Sequence, residues 1–200
     1  SISAKRLITD ISLSNISLYE NEKQTMNPII VPANAANKVL KWYSSNTAVA
    51  EVSDNGVVSA KSVGSAEITA RATDESGVSA SCYVYVKKYV SSIEIPKEIT
   101  VLRTNTRNIE ANVLPTNASS KTLSWSSDDN NIATVTQTGV VKGVNVGTTN
   151  ITATATDGSG VSATCKVTVN PVTINLSTKT VNLQKGSEYV EQTATVLPEN

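Results

Sequence analysis

Residues 147–170 read GTTNITATATDGSGVSATCKVTVN, and this stretch decides the fold. Apolar and polar residues alternate from Ile151 to Thr156, and the alternation resumes from Val161 to Val169. The turn sequence Asp157-Gly158-Ser159-Gly160 separates the two runs. Alternation with a period of two on both sides of an Asp-Gly turn is typical of a β-hairpin with one buried face.

The same hairpin occurs 83 residues earlier in the chain, and the repeat extends well beyond it. Of the 64 aligned positions from 24 to 87, 28 are identical to the residue 83 positions later. A third copy begins after Pro171, because the sequence Val-Leu-Pro at 113–115 returns at 196–198. This third copy carries two extra residues between Leu183 and Pro198. The landmarks that match without a gap are Pro32 and Pro115, Trp42 and Trp125, Gly56 and Gly139, Gly64 and Gly147, Asp74 and Asp157, and Cys82 and Cys165.

A repeat of this length indicates an array of whole domains, because a solenoid repeat has only about 20–50 residues. The repeat predicts one domain over residues 5–88 and a second over residues 89–170. Residues 171–200 are expected to be the N-terminal part of a third, truncated domain. About thirty residues cannot bury a core of their own. We therefore expect the third repeat to need the rest of its own chain, or another chain, to complete it.

Each repeat contains several shorter strand signals besides the hairpin. Leu40 and Trp42 share one face of a short strand, and Ala50-Glu51-Val52 leads through the turn residues Asp54-Asn55-Gly56 into another. No stretch has helical periodicity with helix caps. Seven or so short strands in fewer than 100 residues predict an all-β, two-sheet sandwich.

The order of motifs in each copy resembles the bacterial immunoglobulin-like domain of group 2. The matching motifs of the first copy are WYSS at 42–45, AEV at 50–52, GVV at 56–58, Gly64 and ITARAT at 68–73; the second copy has WSS at 125–127, ATV at 133–135, GVV at 139–141, Gly147 and ITATAT at 151–156. The resemblance implies tandem immunoglobulin-like sandwiches with no shared active site. It also implies a parent among bacterial surface proteins and adhesins, secreted glycan-active enzymes that carry such domains as accessory modules, or phage virion proteins. Tyr43 departs from the small polar residue expected after the tryptophan.

The composition argues against an enzyme and against several classes of partner. Seventeen basic and seventeen acidic residues give a formal net charge of zero, and the chain has no histidine. Without histidine the usual general base and the commonest zinc ligand are missing. We therefore expect no catalytic residue, no cofactor and no metal site. A neutral chain without a basic stripe or a long apolar run predicts no nucleic-acid partner and no membrane insertion in this segment.

Three groups of residues have both a structural and a functional interpretation. Trp42 and Trp125 are expected to fill the core, with a sugar-stacking platform as the alternative. Cys82 and Cys165 alternate in register with buried residues, which predicts two buried free thiols. The acidic turns at 54–55, 74–75, 128–131 and 157 are typical turn formers, with calcium ligation as the alternative.

Tyr43, Tyr83 and Tyr85 are the candidate ligand-binding residues. Their positions in the alternation are opposite to those of Trp42 and Cys82, so all three are expected to face outward on strands of one sheet. Such a cluster is typical of a glycan or protein contact, and equally of cross-strand packing on a solvated face. The second copy has Ser126, Lys166 and Thr168 there, so the site would belong to the first domain alone.

The passages between the copies predict an elongated rod. The segment 87–93 has no glycine, and the segment 170–174 contains Pro171, whereas flexible linkers are rich in glycine and serine. We therefore expect an extracellular spacer or adhesion stalk on a bacterial cell surface or on a secreted protein. A host or cell-surface protein or a glycan is the expected partner. The alternatives are an accessory module of a secreted glycan-active enzyme and a phage virion surface domain.

Overall fold

The computed structural model describes residues 5–176 and 194–197, and over these residues every regular element is a β-strand. The chain divides into two compact units: Ser1–Val90 with Thr116–Ser120, and Ser91–Pro115 with Lys121–Asn200. The all-β fold expected from the alternation is confirmed. The finer domain limits and the elongated arrangement remain predictions from the sequence.

The first domain is a sandwich of short strands. Its four-stranded sheet has the order β2-β9-β8-β5, a three-stranded sheet has the order β3-β7-β6, and β1 pairs with β4. All pairings are antiparallel except that of β2 with β9, which is parallel. The strands are β1 Asp10–Ser12, β2 Ile16–Tyr19, β3 Lys23–Thr25, β4 Ile29–Val31, β5 Leu40–Ser44, β6 Ala50–Val52, β7 Val57–Ala60, β8 Gly64–Ala72 and β9 Ser79–Lys87.

The second domain repeats this topology strand for strand. Its sheets have the orders β11-β18-β17-β14, β12-β16-β15 and β10-β13, and the pairing of β11 with β18 is again parallel. The strands are β10 Ser92–Glu94, β11 Glu98–Leu102, β12 Thr106–Asn108, β13 Asn112–Leu114, β14 Leu123–Ser127, β15 Ala133–Val135, β16 Val140–Gly143, β17 Gly147–Ala155 and β18 Ser162–Asn170.

The predicted hairpin is formed by β17 and β18, with Ile151 opposite Cys165 and Ala153 opposite Ala163. Ile151, Ala153 and Cys165 are fully buried. The equivalent pair of the first domain, Ile68 and Cys82, is opposed in the same way and also buried. The alternation therefore gave the correct face of both hairpins.

Each tryptophan packs on the core side of its sandwich. Trp125 is 7% exposed, and Trp42 is half-buried against the core of the first domain. A turn glycine lies under each ring. A Cβ on Gly56 would come within 2.9 Å of the Trp42 ring, and one on Gly139 within 3.0 Å of the Trp125 ring. The expectation that the tryptophans fill the core is confirmed, which excludes the sugar-platform alternative for Trp125.

The third copy is represented by two further strands, β19 Thr173–Leu176 and β20 Ala194–Leu197, which pair antiparallel. Ile174 lies opposite Val196, a separation of 196 − 174 = 22 residues, whereas Ile93 lies opposite Val113, a separation of 113 − 93 = 20. The difference of two matches the two extra residues predicted there. The rest of the predicted third domain, residues 177–193 and 198–200, lies outside the described residues.

Candidate binding face of the first domain

The candidate site is the outer face of the sheet β2-β9-β8-β5, called here the tyrosine face. It is defined by Tyr43 on β5 and by Tyr83 and Tyr85 on β9. The three side chains are 43%, 49% and 43% exposed. The expectation that they face outward on one sheet is confirmed, while their role in binding stays a prediction.

Two cations approach the ring of Tyr43. The Lys41 Nζ is 5.8 Å from the centre of the Tyr43 ring, and the Arg71 Cζ is 5.9 Å from it. These distances suit a cation–π contact, in which the ring face attracts positive charge. Arg71 reaches Tyr43 because β8 lies beside β5, with Lys41 opposite Arg71.

Tyr83 and Tyr85 form a second aromatic group on the same face. Their ring centres are 6.2 Å apart, and their planes meet at 25°. Tyr83 lies opposite Glu67, and Tyr85 lies between Ser65 on β8 and Ser17 on β2.

Hydroxyl groups fill the sheet between the two aromatic groups. Thr69 lies opposite both Tyr43 and Ser81, and its Oγ1 is 2.8 Å from the Ser81 Oγ, a hydrogen-bonding distance. The tyrosine face therefore has aromatic rings at two places and hydroxyl groups between them.

The same face of the second domain keeps the hydroxyl groups without the aromatic rings. Thr152 and Thr164 are hydrogen-bonded at 3.2 Å, as Thr69 and Ser81 are in the first domain. Ser126, Lys166 and Thr168 replace the three tyrosines. The two domains thus share a scaffold and differ in the chemistry of this face.

The acidic turns stabilise loops through hydrogen bonds. Asp74 is 1% exposed; its carboxylate accepts the Ile8 N–H at 2.6 Å and the Ser76 N–H at 3.0 Å. Hydrogen bonds from the Ser76 side chain and from the Ile8 backbone lower the pKa of Asp74. Asp129 accepts the Asn131 N–H, and Asp157 accepts the Ser159 N–H. Over the described residues, no group of three or more acidic or cysteine side chains is arranged to hold a metal ion.

The two cysteines are buried free thiols, as the alternation predicted. Desolvation by burial raises the pKa of the Cys82 thiol and of the Cys165 thiol. A thiol that is buried and protonated reacts slowly.

In the part of the chain that the structure describes, no helix has the length and apolar character to cross a membrane.

Sequence reasoning missed three arrangements that the fold creates. Arg71 reaches Tyr43 only because β8 pairs with β5 in one particular register. Asp74 and Ile8 are 66 residues apart in the chain. Gln137 binds both backbone groups of Trp125, where the first repeat has Asp54. Of these three arrangements, only the structural role of Asp74 had a signal in the sequence, since an aspartate recurs at the equivalent position, Asp157.

Comparison with known proteins gives one family match for each repeat. The model of the bacterial Ig-like domain (group 2) matches residues 9–82 and again residues 89–167.

The relatives differ in kind. An Ig-like virion protein of Serratia phage KSP90 is 32% identical over 154 residues, which cover 74% of this chain and 59% of that protein. An α-L-arabinofuranosidase of Bifidobacterium longum subsp. longum is 40% identical over 78 residues, which cover 39% of this chain and 7% of the enzyme. The chain spans less than two thirds of the length of the curated relatives that it matches first.

Among solved structures, the C-terminal fragment of intimin in complex with the intimin-binding domain of its translocated receptor has the same fold. Its TM-score is 0.50 at 19% identity, and the match covers 84% of this chain and 66% of the intimin chain. At this identity the likeness concerns the fold alone.

Proposed function

Because the chain belongs to the bacterial Ig-like domain family of group 2, we propose that it is a non-catalytic, load-bearing spacer of a protein exposed outside the cell. The proposed parent is a bacterial surface protein, in which the domains hold a binding region away from the cell. The proposed partner of that parent is a host or cell-surface protein or a glycan. The match to an arabinofuranosidase covers a single-domain length of that enzyme, which supports a module without catalysis.

One observation carries the load-bearing part of the proposal: in both domains an early strand pairs in parallel with the last strand. In the first domain β2 pairs with β9 through four residue pairs, from Ile16 with Val84 to Tyr19 with Lys87. In the second domain β11 pairs with β18 through five, from Glu98 with Lys166 to Leu102 with Asn170.

A parallel pair resists tension applied through the two ends of the domain. The chain enters β11 at Glu98 and leaves β18 at Asn170, and in a parallel pair these two points are at opposite ends. Tension through them loads the hydrogen bonds between the strands together, as a shear. An antiparallel hairpin pulled from its open end loses its hydrogen bonds one at a time. The topology is therefore suited to a spacer under tension.

Further contacts continue the parallel pair of the first domain beyond its last residue pair. The Glu20 N–H donates to the Lys87 carbonyl at 2.9 Å, and the Lys88 Nζ is 2.9 Å from the Glu20 Oε2. The rings of Tyr19 and Tyr89 stack with their centres 3.5 Å apart. These contacts hold β2 to the end of β9 where the tension would be applied.

Single-molecule pulling tests the proposal in two geometries of the same domain. In the first, the full chain is held through cysteines placed at Lys97, directly before β11, and at Asn170, which shears β11 against β18. In the second, it is held at Asn145 and Asn170, which opens the β17–β18 hairpin from the end where Gly147 faces Val169. We expect a clearly higher unfolding force in the first geometry. Equal forces in both geometries would contradict a load-bearing role.

Two other candidate parents have support in the comparisons. The matches to a phage virion protein and to an arabinofuranosidase favour a spacer or accessory module within a virion or a secreted glycan-active enzyme. The sequence that flanks this segment in its gene distinguishes the parents. A catalytic domain identifies the enzyme, a wall anchor the surface protein, and phage tail genes the virion.

A further inference from the structure

We propose that the tyrosine face of the first domain binds an acidic polysaccharide, a chain that contains uronic acid sugars. This proposal goes beyond the spacer role and is independent of it, because a domain can bear tension with or without a ligand on its outer face. It rests on three properties of the face: exposed aromatic rings, cations that form no ion pair with a described residue, and hydroxyl groups between the rings.

The aromatic groups are placed to contact two parts of one extended ligand. Tyr43 is in register with Thr69 and Ser81, and Tyr83 is two residues farther along β9. With strands about 4.8 Å apart and a rise of about 3.3 Å per residue, the Tyr43 and Tyr83 backbones are roughly 12 Å apart. The rings are about half exposed, and the flat apolar face of a sugar packs well on such a ring.

The charges of the face select an acidic ligand. Three cations occupy outward-facing positions of the same strands as the tyrosines or of the strand between them: Lys41, Arg71 and Lys87. One carboxylate, that of Glu67, faces outward beside them. Lys41 and Arg71 form no ion pair with any described residue, and both lie within 6 Å of the Tyr43 ring centre. The face therefore has an excess of positive charge on a chain whose formal net charge is zero. A sugar carboxylate beside Tyr43 would pair with these cations.

The surface between the rings favours a carbohydrate over a protein. A stable protein interface buries about 800 Å² on each partner around an apolar centre. Here the centre, between Tyr43 and Tyr83, is formed by the hydroxyl groups of Thr69 and Ser81. Hydroxyl groups at this place suit the hydroxyl groups of a sugar.

The second domain is an internal control because the same fold lacks this chemistry. Ser124 and Thr154 replace Lys41 and Arg71, and Ser126 replaces Tyr43. On the strands of this sheet its one cation is Lys166, which lies opposite Glu98, while Arg107 of β12 reaches the edge of the sheet and donates to the Thr100 carbonyl at 3.0 Å. The residues of the second domain also show which substitutions this scaffold accepts.

Titration calorimetry of the intact chain tests the proposal with oligogalacturonate and oligoalginate. The matched neutral probes are the methyl esters of the same oligomers, and a chelator excludes calcium bridging. We expect the acidic oligomers to bind at millimolar concentration or below, the affinity to fall with added salt, and the esters to bind at least about fivefold more weakly, a loss near 1 kcal/mol.

Variants in which a residue of the first domain is replaced by the residue at the equivalent position of the second domain test whether binding occurs on the tyrosine face. Tyr43→Ser is expected to weaken binding roughly three- to tenfold, and Lys41→Ser with Arg71→Thr is expected to remove the preference for the acid over the ester. Lys23→Ala removes one exposed cation from the other sheet of the domain and is expected to leave binding unchanged. Failure of both acidic oligomers to bind, equal binding of the esters, or unchanged binding by Tyr43→Ser would overturn the proposal.

Discussion

Gly139 shows how a single turn residue fixes the position of the core tryptophan. Its φ is +82°, a conformation that side chains disfavour. A Cβ there would also come within 2.8 Å of the Ile109 carbonyl oxygen and 3.0 Å of the Trp125 ring. The turn thus needs glycine for two separate reasons, its backbone conformation and the lack of space. Gly56 has the same relation to Trp42, with a φ of +72°.

Substitution of Gly139 and Gly160 by alanine separates these two reasons. Gly160 has a φ of +73°, and a Cβ there would meet nothing within 4 Å. Gly160→Ala is therefore expected to lower the free energy of unfolding of the second domain by about 1–2 kcal/mol, the cost of the conformation. Gly139→Ala is expected to cost a further 1–3 kcal/mol, roughly, because the ring and the carbonyl must shift. Urea denaturation measures both, and equal losses would contradict the contact with Trp125.

The strands of each repeat were predicted with different success, for physical reasons. The prediction of the β17–β18 hairpin was correct in the position of the turn and in which residues face the core, because strict alternation next to Asp157 and Gly158 is a local signal. The parallel pairing of β2 was not predicted. β2 has only the four residues Ile16–Tyr19, and its partner β9 is more than 60 residues away. Pairing at that distance depends on the packing of the whole sandwich.

In the second domain a side chain covers the free edge of the strand β14, and the equivalent strand β5 of the first domain has a different residue at that position. The Trp125 N–H donates to the Gln137 Oε1, and the Gln137 Nε2 donates to the Trp125 carbonyl, both at 3.0 Å. These bonds satisfy backbone groups that point away from the sheet, at an edge where another strand could otherwise pair. In the first domain the same position is Asp54, which forms no such pair of bonds with Trp42 among the described residues.

Gln137→Ala is expected to destabilise the second domain by about 1–3 kcal/mol, since two hydrogen bonds of about 0.5–1.5 kcal/mol each are lost. The amide hydrogen of Trp125 is also expected to exchange faster with solvent. Asp54→Ala is the matched control at the exposed equivalent position, and its effect on the first domain is expected to stay within about 0.5 kcal/mol. Unchanged exchange at Trp125 in Gln137→Ala would show that the side chain does not protect this edge.

At the scale of the whole molecule, the sequence predicted the repetition of one sandwich and the restriction of the three tyrosines to the first copy. The face on which the copies differ was also predicted, because Tyr43 and the residues of β9 alternate with buried ones. The approach of Arg71 to Tyr43 was not predicted, since the two residues meet only through the pairing of β5 with β8. The elongated arrangement expected from the segments 87–93 and 170–174 remains a prediction, which small-angle scattering of residues 1–170 can test.

Each domain contains one tryptophan and one buried thiol, so the two domains can be followed separately in one chain. The chain has two tryptophans and two cysteines, and Trp42 and Cys82 belong to the first domain while Trp125 and Cys165 belong to the second. Trp125→Ala leaves Trp42 as the single tryptophan. Its fluorescence then reports the first domain alone, and the reactivity of Cys165 reports the second.

Trp125→Ala is expected to unfold the second domain selectively. Truncating a buried tryptophan costs about 3–5 kcal/mol, out of roughly 5–15 kcal/mol that stabilise a domain. Cys165 should therefore react with a thiol reagent at urea concentrations where it is protected in the unaltered chain. Cys82 should stay protected, and the Trp42 fluorescence midpoint should not move, because the described residues that form the core around Ile68 and Val84 all belong to the first domain. Labelling of both thiols together would show that the two sandwiches unfold as one unit.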